Sequence, residues 1–294
     1  MDELNIQWYP GHMTKARRMM QENLHMVDAL CEILDARIPM ASRNPEIDSL
    51  AENLPRLIVL NRSDLADPKL TARWKNYYAE HGFSVMDCDA RSGKGMGAFR
   101  QTVRNLLAER LETWAEKGQT GRKLRVMVAG IPNVGKSTFI NKVAGRRAAA
   151  AGDRPGVTRG RQWIAVDSEL ELLDTPGILW PKFDDPEVGE LLAVTNAVKA
   201  EVVDREALAA RFLLRLCRLY PEAVLERYRI TAEENETGYD LLEKAARKRG
   251  FLISGGEVDV ERMANTLLTE YHGGKLGRLT LEFPELSGKG AEHA

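Results

Sequence analysis

The chain reads as an α/β unit of three layers followed by an all-α unit. Three observations predict this. Short apolar runs rich in branched residues recur up to residue 174, each ending in a polar or glycine-rich turn, as buried parallel strands do. One of them, residues 124–129, leads into Gly130-Ile-Pro-Asn-Val-Gly-Lys-Ser-Thr138, and the stretch that follows, 137–143, has no helix breaker. Past residue 183 the apolar spacing turns helical and stays so.

Two glycines five positions apart, then lysine and a hydroxyl, between a strand and a helix, make a P-loop pattern. Backbone N–H groups of such a turn wrap a phosphate chain at a helix N-terminus, where aligned peptide dipoles favour negative charge. Asn133, Val134, Gly135, Lys136, Ser137 and Thr138 form the cradle; Lys136 reaches the β- and γ-phosphates and Ser137 ligates Mg²⁺.

Bulk properties bound the rest. A chain of 294 residues suggests about two domains. The formal net charge of −1 gives no whole-molecule field toward nucleic acid, so any basic surface is local and DNA is not an expected partner. Cys31, Cys88 and Cys217 fit neither a zinc spacing nor a disulfide framework, which suits a reducing cytosol and a cytoplasmic protein. The N-terminus carries no apolar signal core, and no stretch approaches a membrane span. A monomer is expected.

Residues 1–24 form an aromatic and basic segment. Trp8, Tyr9, Pro10 and Gly11 enter a turn, and Thr14 is a candidate cap for a helix carrying Lys15, Arg17 and Arg18. That basic face is either solvated or a contact for RNA phosphates. Residues 29–36 are a strand candidate ending in Asp35-Ala-Arg-Ile-Pro-Met-Ala-Ser-Arg-Asn-Pro45, a loop punctuated by proline. Residues 57–60 are a buried strand that runs into Asn61-Arg62-Ser63-Asp64. An Asn-x-x-Asp pair at the end of a parallel strand reads guanine. The aspartate accepts from the ring N1–H and the exocyclic amine, which adenine does not offer, and the asparagine amide bonds the base edge and braces the P-loop. Lysine is usual at the second position; Arg62 stands there, and its stem or plane covers the base. A plain turn after a strand is the competing reading.

Residues 84–88 are another short strand, followed by Asp89-Ala-Arg-Ser-Gly-Lys-Gly95. This is close to the fifth box of GTPases, Ser-Ala-x-x-Gly-x-Gly, in which a backbone N–H, here that of Ala90, meets the guanine oxygen. A helix over 96–117 follows, with Phe99, Val103, Leu106, Leu107 and Leu111 as its core stripe. After the P-loop helix, 146–152 is basic and alanine-rich. Residues 153–160 read as a mobile loop with a lone hydroxyl, Thr158, suited to Mg²⁺. Residues 162–166 and 170–173 read as a hairpin, and the second strand ends in Asp174-Thr-Pro-Gly177. Asp174 holds Mg²⁺ directly or through water, and the Gly177 N–H meets the γ-phosphate. Helices are expected over 186–203, 205–220, 241–249 and 260–271, a strand over 278–283, and disorder over 285–294. Lys244-Ala-Ala-Arg-Lys-Arg249 is a basic cluster, either a solvated face or an RNA contact.

The boxes appear in permuted order: the guanine pair and the fifth box precede the P-loop, Thr158 and Asp174 to Gly177. A circular permutation keeps the sheet and the site and moves the chain ends. The second switch then leads directly into the C-terminal helices.

On these motifs the chain resembles the ribosome biogenesis GTPase A (RbgA/YlqF) family of circularly permuted GTPases. The likeness rests on Gln7-Trp-Tyr-Pro-Gly-His-Met-Thr-Lys-Ala-Arg17, Asp35-Ala-Arg-Ile-Pro39, Ser42-Arg-Asn-Pro45 and Asn61-Arg-Ser-Asp64. It continues through the P-loop, Pro155-Gly-Val-Thr-Arg159, Asp174-Thr-Pro-Gly177, Leu179-Trp-Pro-Lys182, Asp185-Pro-Glu-Val-Gly189 and Gly274-Lys-Leu-Gly277. Arg62 and Asp89 depart from the usual lysine and serine. The resemblance implies a GTPase that binds a precursor of the large (50S) ribosomal subunit late in assembly, hydrolyses GTP on it and contacts its rRNA. It implies a permuted GTPase domain over 25–183 and a helical RNA-contacting domain over 184–284.

Position 178, where many GTPases orient water with glutamine, is Ile178, which offers no hydrogen bond. Two other groups are candidates. Asn133 helps ligate K⁺ between the phosphates, as in similar asparagine-bearing P-loops. His12 swings to the γ-phosphate when the ribosome is bound, or is instead a rigid structural or RNA contact. Two further classes compete. One is an RNA-binding module with a merely structural nucleotide, which complete switch elements disfavour. The other is a kinase or ATPase, which Asn61 and Asp64 disfavour.

Overall fold

The computed structural model describes residues 4, 6, 8–119, 121–145, 162–199 and 202–284. Six strands form one sheet: β1 (Ala29–Asp35), β2 (Arg56–Asn61), β3 (Ser84–Asp87), β4 (Leu124–Gly130), β5 (Gln162–Ala165) and β6 (Leu170–Asp174), in spatial order β3-β2-β1-β4-β6-β5. All neighbours run parallel except β5 and β6, the expected hairpin. All seven residues of β1 are buried, so both faces of the sheet are covered, as three layers require.

One face carries a row in register, Leu30, Met127 and Leu173. It packs with Ala16 and Met20 of α1 (Gly11–Asn23), Ile47 of α2 (Glu46–Leu50) and Ile178. Toward the β3 edge, Leu34, Ile58 and Leu60 pack with Trp74 and Tyr78 of α3 (Pro68–Glu80). Helix α4 (Phe99–Leu106) lies against β2 and β3, and α6 (Lys136–Val143) against β4 and β6. Phe99 and Phe139 join these two helices edge to face, with centroids 5.1 Å apart.

Several elements differ from the sequence reading, each for a local reason. Helix α1 starts at Gly11, with extended Pro10 as its N-cap, so Thr14 lies inside the helix and does not cap it. The expected helix over 96–117 is broken into a 3₁₀ turn (Met96–Ala98), α4 and α5 (Ala108–Glu116). The break at Leu107, φ −107° and ψ 18°, buries that side chain in the core. Residues 278–283 form no strand.

The chain divides into two compact units. Among the described residues, the sheet unit holds those of Tyr9–Lys182 together with 282–284, and the helical unit those of Phe183–Leu281 together with Leu4, Ile6 and Trp8. The helical unit contains α7 (Pro186–Val194), α8 (Arg205–Leu219), α9 (Pro221–Tyr228), α10 (Gly238–Arg249) and α11 (Val260–His272). Helix α7 stops short of residue 203 because Asn196 takes a left-handed φ of +65°, which a helix cannot continue through. Helix α8 is the hub: its Leu208, Phe212, Leu213 and Leu216 are buried, and α10 and α11 pack on it. A Cβ on Gly238 would lie 2.1 Å from the Ala210 carbonyl, so glycine permits the α8–α10 approach.

Candidate nucleotide-binding site

The site is built at the C-terminal ends of β1, β2, β4 and β6. Strand β4 ends at Gly130, whose φ of +149° turns the chain, and a Cβ there would sit 2.5 Å from the Ile33 carbonyl of β1. Asn133 and Gly135 are also left-handed, at +57° and +101°. This run of reversals folds residues 130–135 into a turn whose N–H groups precede α6. A Cβ on Gly135 would lie 2.5 Å from the Asn61 amide nitrogen.

Lys136, at the first position of α6, is 7% exposed. Its ammonium donates to the Gly130 and Ile131 carbonyls, both at 3.1 Å. Burial pushes its pKa down to about 8, and the nearby Asp174 carboxylate partly opposes that. Ser137 is half-buried and Thr138 exposed. Asp174, the last residue of β6, is fully buried. Past it, the Thr175 hydroxyl donates to the Val128 carbonyl at 2.8 Å, and the Ile178 N–H to the Gly130 carbonyl at 3.3 Å. A Cβ on Gly177 would fall 2.8 Å from Pro132 backbone atoms and 2.9 Å from the Lys136 ammonium, so only glycine brings this segment so close to the P-loop. Ile178 is a core residue with no exposed surface, which removes it from any contact with water.

Asn61 ends β2 and is almost wholly buried. Its amide donates to the Val134 carbonyl at 2.8 Å, and its oxygen accepts from the Ala90 N–H at 3.0 Å and the Cys88 thiol at 3.6 Å. The carboxamide therefore ties β2, the P-loop and the segment after β3 together. The Ala90 N–H is spent on Asn61 here, so its first task is to orient the asparagine. Arg62, left-handed at φ +61°, donates to the Asn133 carbonyl and lies 3.6 Å from the Asp35 carboxylate. Ser63 N–H donates to the Cys88 carbonyl at 3.1 Å, and Asp64 is exposed at the mouth. Asp89 caps its own turn through the N–H groups of Arg91 and Ser92 at 2.8 and 3.1 Å. Burial opposes its ionisation, but the bonds from Ser92 and Arg91 outweigh it and hold the carboxyl below its usual range.

Sequence reasoning missed a buried pair beside this site. Asp35 accepts from Arg37 Nε at 2.9 Å and Nη2 at 2.7 Å, and both side chains are sealed from water. Thr158, the other predicted Mg²⁺ ligand, lies outside the described residues. His12 is exposed on the first turn of α1. The sulfur of its neighbour Met13 receives the Leu179 N–H at 3.5 Å, so the start of α1 abuts the chain just past Gly177.

A family model described as 50S ribosome-binding GTPase matches residues 125–237. Ribosome biogenesis GTPase A from Bacillus cereus is 44% identical over 287 residues, 98% of this chain and 97% of that protein. The Priestia megaterium protein of the same name is 45% identical, covering 96% and 98%. The chain belongs to the ribosome biogenesis GTPase A family. Among solved structures it is similar to a GDP-bound YlqF, with TM-score 0.67 and 27% identity over 90% of this chain and 99% of that one. It is also similar to GNP-bound YlqF from T. maritima, with TM-score 0.65 and 28% identity over 92% and 99%. The six-stranded sheet with its helical region is thus the fold of a permuted P-loop GTPase in this family.

Among the described residues no cluster of three His, Cys, Asp or Glu side chains forms a metal cage. Mg²⁺ at a P-loop needs no such cage, because phosphate and water supply most of its octahedron. A buried Asp174 carboxylate and the Ser137 hydroxyl at the start of α6 are hard oxygen donors and fit that ion.

Proposed function

We propose that this ribosome biogenesis GTPase binds GTP across residues 130–138 and hydrolyses it on a precursor of the large (50S) subunit late in maturation, leaving after hydrolysis. The observation that carries the reading is the packing of Gly177 on Pro132 and the Lys136 ammonium, because it sets a γ-phosphate-sensing N–H beside the phosphate cradle. Lys136 and the turn hold the phosphates. Asn61, Arg62, Ser63 and Asp64 hold the base, and the Ala90 N–H braces Asn61 for it. Mg²⁺, held by Ser137, Asp174 and Thr158, would neutralise charge on the β- and γ-phosphates. Asn133 offers a neutral oxygen to K⁺.

His12 is the group we assign to the attacking water, because Ile178 is sealed in the core and Met13 docks the start of α1 beside Leu179. Hydrolysis by the free chain is accordingly slow and rises on the ribosomal particle. For rRNA contact the helical unit offers a cleft of about 490 Å³ lined by Arg229, Thr231, Lys244, Arg247 and Lys248. Lys244 is paired with Glu233 and Glu236, and Arg249 with Glu270; Arg247 reaches Glu243 only at 3.9 Å and is exposed, as is Lys248, so these two are the more open phosphate contacts. No helix of the described residues is long and apolar enough to cross a membrane.

The test is GTP turnover with and without purified large subunits or their precursors, in K⁺ and in Na⁺. Stimulation by the particle that His12→Ala removes supports the whole scheme. Stimulation that survives His12→Ala removes the histidine as catalyst, and stimulation indifferent to the cation removes K⁺. Turnover that no particle changes overturns the proposed target. A separate result concerns the base: Asp64→Asn should raise the GTP Kd about 10- to 100-fold, the worth of a charge-assisted pair of hydrogen bonds, and admit xanthine nucleotides. Binding assays with GTP and XTP check this, and an unchanged preference would remove Asp64 as the base reader.

A further inference from the structure

The loop after β1 is tied at three places, and two of the ties have no part in the site as described so far. Within the loop, the Ile38 N–H bonds the Asp35 carbonyl, Ser42 N–H the Ile38 carbonyl, and Arg43 N–H the Met40 carbonyl, so residues 35–43 form one stiff turn. The Ser42 hydroxyl also receives the Asp35 N–H at 3.0 Å. The first tie is the one from Asp35 to Arg62 beside the P-loop.

The second tie is Asn44, a fully buried polar side chain. Its backbone N–H is held by Glu32 at 3.2 Å, and its oxygen accepts from the Glu46 N–H at 3.0 Å. Its amide nitrogen then reaches the carbonyl of Ile178 at 3.4 Å. That carbonyl belongs to the 178–179 peptide, and the Ile178 N–H to the 177–178 peptide that begins at Gly177. With its N–H on Gly130, residue 178 is gripped at both its N–H and its carbonyl.

The third tie is Glu282. Its carboxylate accepts from two consecutive backbone N–H groups, Met40 at 2.7 Å and Ala41 at 2.9 Å. Successive N–H groups around one anion make a concave, charge-assisted grip. The Glu282 carbonyl also receives the Trp74 indole N–H at 3.2 Å, and the Tyr78 hydroxyl secures the Pro39 carbonyl at 2.9 Å. Glu282 is the first residue after the helical unit, whose final residues are held by Arg215 on the Leu281 carbonyl and Tyr220 on the Thr280 carbonyl.

We propose that Asn44 and Glu282 are positioning residues for the γ-phosphate-sensing segment: Asn44 sets the Ile178 peptide, and Glu282 sets the turn that carries Asn44. The proposal rests on reading Gly177 as the γ-phosphate sensor. The Gly177 N–H stands two peptides before the one Asn44 holds, with the 177–178 peptide bonded to Gly130 between them, so a triphosphate that draws this N–H in pulls on a short segment fixed at both points. Through linkage, whatever fixes that peptide changes the preference for triphosphate over diphosphate, and nucleotide state in turn changes the grip on Glu282.

The experiment uses the full chain as wild type, Glu282→Gln, Asn44→Ala and the double variant. GDP and a non-hydrolysable GTP analogue are titrated into each by calorimetry. Each single variant should shift the ratio of the two Kd values about 3- to 10-fold, and the double variant should shift it no further than the larger single, because both act through one peptide. A wild-type ratio in both singles, with only the melting temperature lowered, overturns the proposal and leaves the ties as plain packing. A wild-type chain that binds neither nucleotide overturns the site reading itself and the proposal with it. Hydrogen exchange on the wild type gives a second readout that needs no variant. Amides 40–44 should differ in protection between the two nucleotides, and identical protection overturns the proposal.

Discussion

Lys136→Ala should reduce GTP turnover about 10²- to 10³-fold at saturating ribosomal particle, the usual loss when a preorganised donor to developing charge is removed. The size follows from how the side chain is held. In the free protein the ammonium is buried against two backbone carbonyls, Gly130 and Ile131, and its lowered pKa reports a charge poorly repaid for lost water. Phosphate oxygens offer that cation full negative charge where the carbonyls offer only dipoles, so GTP draws it out of this rest position. Gly177 lies against the same ammonium, so the lysine also fills the corner where, on the proposed reading, the γ-phosphate is sensed. Alanine removes the charge and the packing at once. Single-turnover hydrolysis separates the two: the chemical step should fall far more than GDP binding, because diphosphate needs less of the lysine's reach. Equal losses in both would reduce Lys136 to a binding group.

The phosphate side of this site was legible in the sequence because its chemistry fixes spacing. A turn that wraps phosphate needs glycines at 130 and 135 and a lysine at the helix start, and the structure gives each glycine a concrete neighbour that forbids a side chain. What the sequence hid were choices made by tertiary packing. Apolar spacing runs without interruption from Phe99 to Leu111, yet the helix breaks at Leu107, whose side chain stays in the core through the break. Helix α3 lies outside the sequence reading, although Asp67 and Pro68 signal its start: the Asp67 carboxylate caps the Lys69 and Leu70 N–H groups. Helix α9 likewise opens on a proline, Pro221, directly after α8. Glu32 is a charged residue inside an apolar strand run, and nothing in the run shows that Arg56 and the Asn44 N–H wait for it across the sheet. The same holds for Asp35 and Arg37: the residues stood in the loop motif, but an aspartate two positions before an arginine carries no signal that both are buried.

That pair yields the largest stability effect expected. Arg37→Met should destabilise the sheet unit by about 3–5 kcal/mol, the cost of leaving one member of a buried ion pair behind. Asp35 would keep a carboxylate with 2% of its surface exposed and lose the paired bonds at 2.9 and 2.7 Å. At present burial works against its ionisation, but Arg37 first and Arg62 second more than offset that and hold the carboxyl below its usual range. A carboxyl with a depressed folded pKa stabilises the fold above its unfolded pKa, about 3.9, and that contribution is lost as pH falls through the lower folded value. In the variant, burial without Arg37 raises the Asp35 pKa, so its penalty is relieved by protonation as pH falls; the difference between wild type and variant should therefore be largest near neutral pH and already smaller at pH 5. Adding Asp35→Asn to Arg37→Met should recover part of the loss, because a pair replaced on both sides leaves no buried charge. Thermal unfolding followed in the sheet unit checks all three statements. The consequence reaches the nucleotide as well. With Arg37 gone, Asp35 has Arg62 as its nearest guanidinium, at 3.6 Å, and Arg62 can serve it fully only by letting go of the Asn133 carbonyl. GTP affinity should then fall in the variant and return with Asp35→Asn, although neither residue belongs to the phosphate or base motifs.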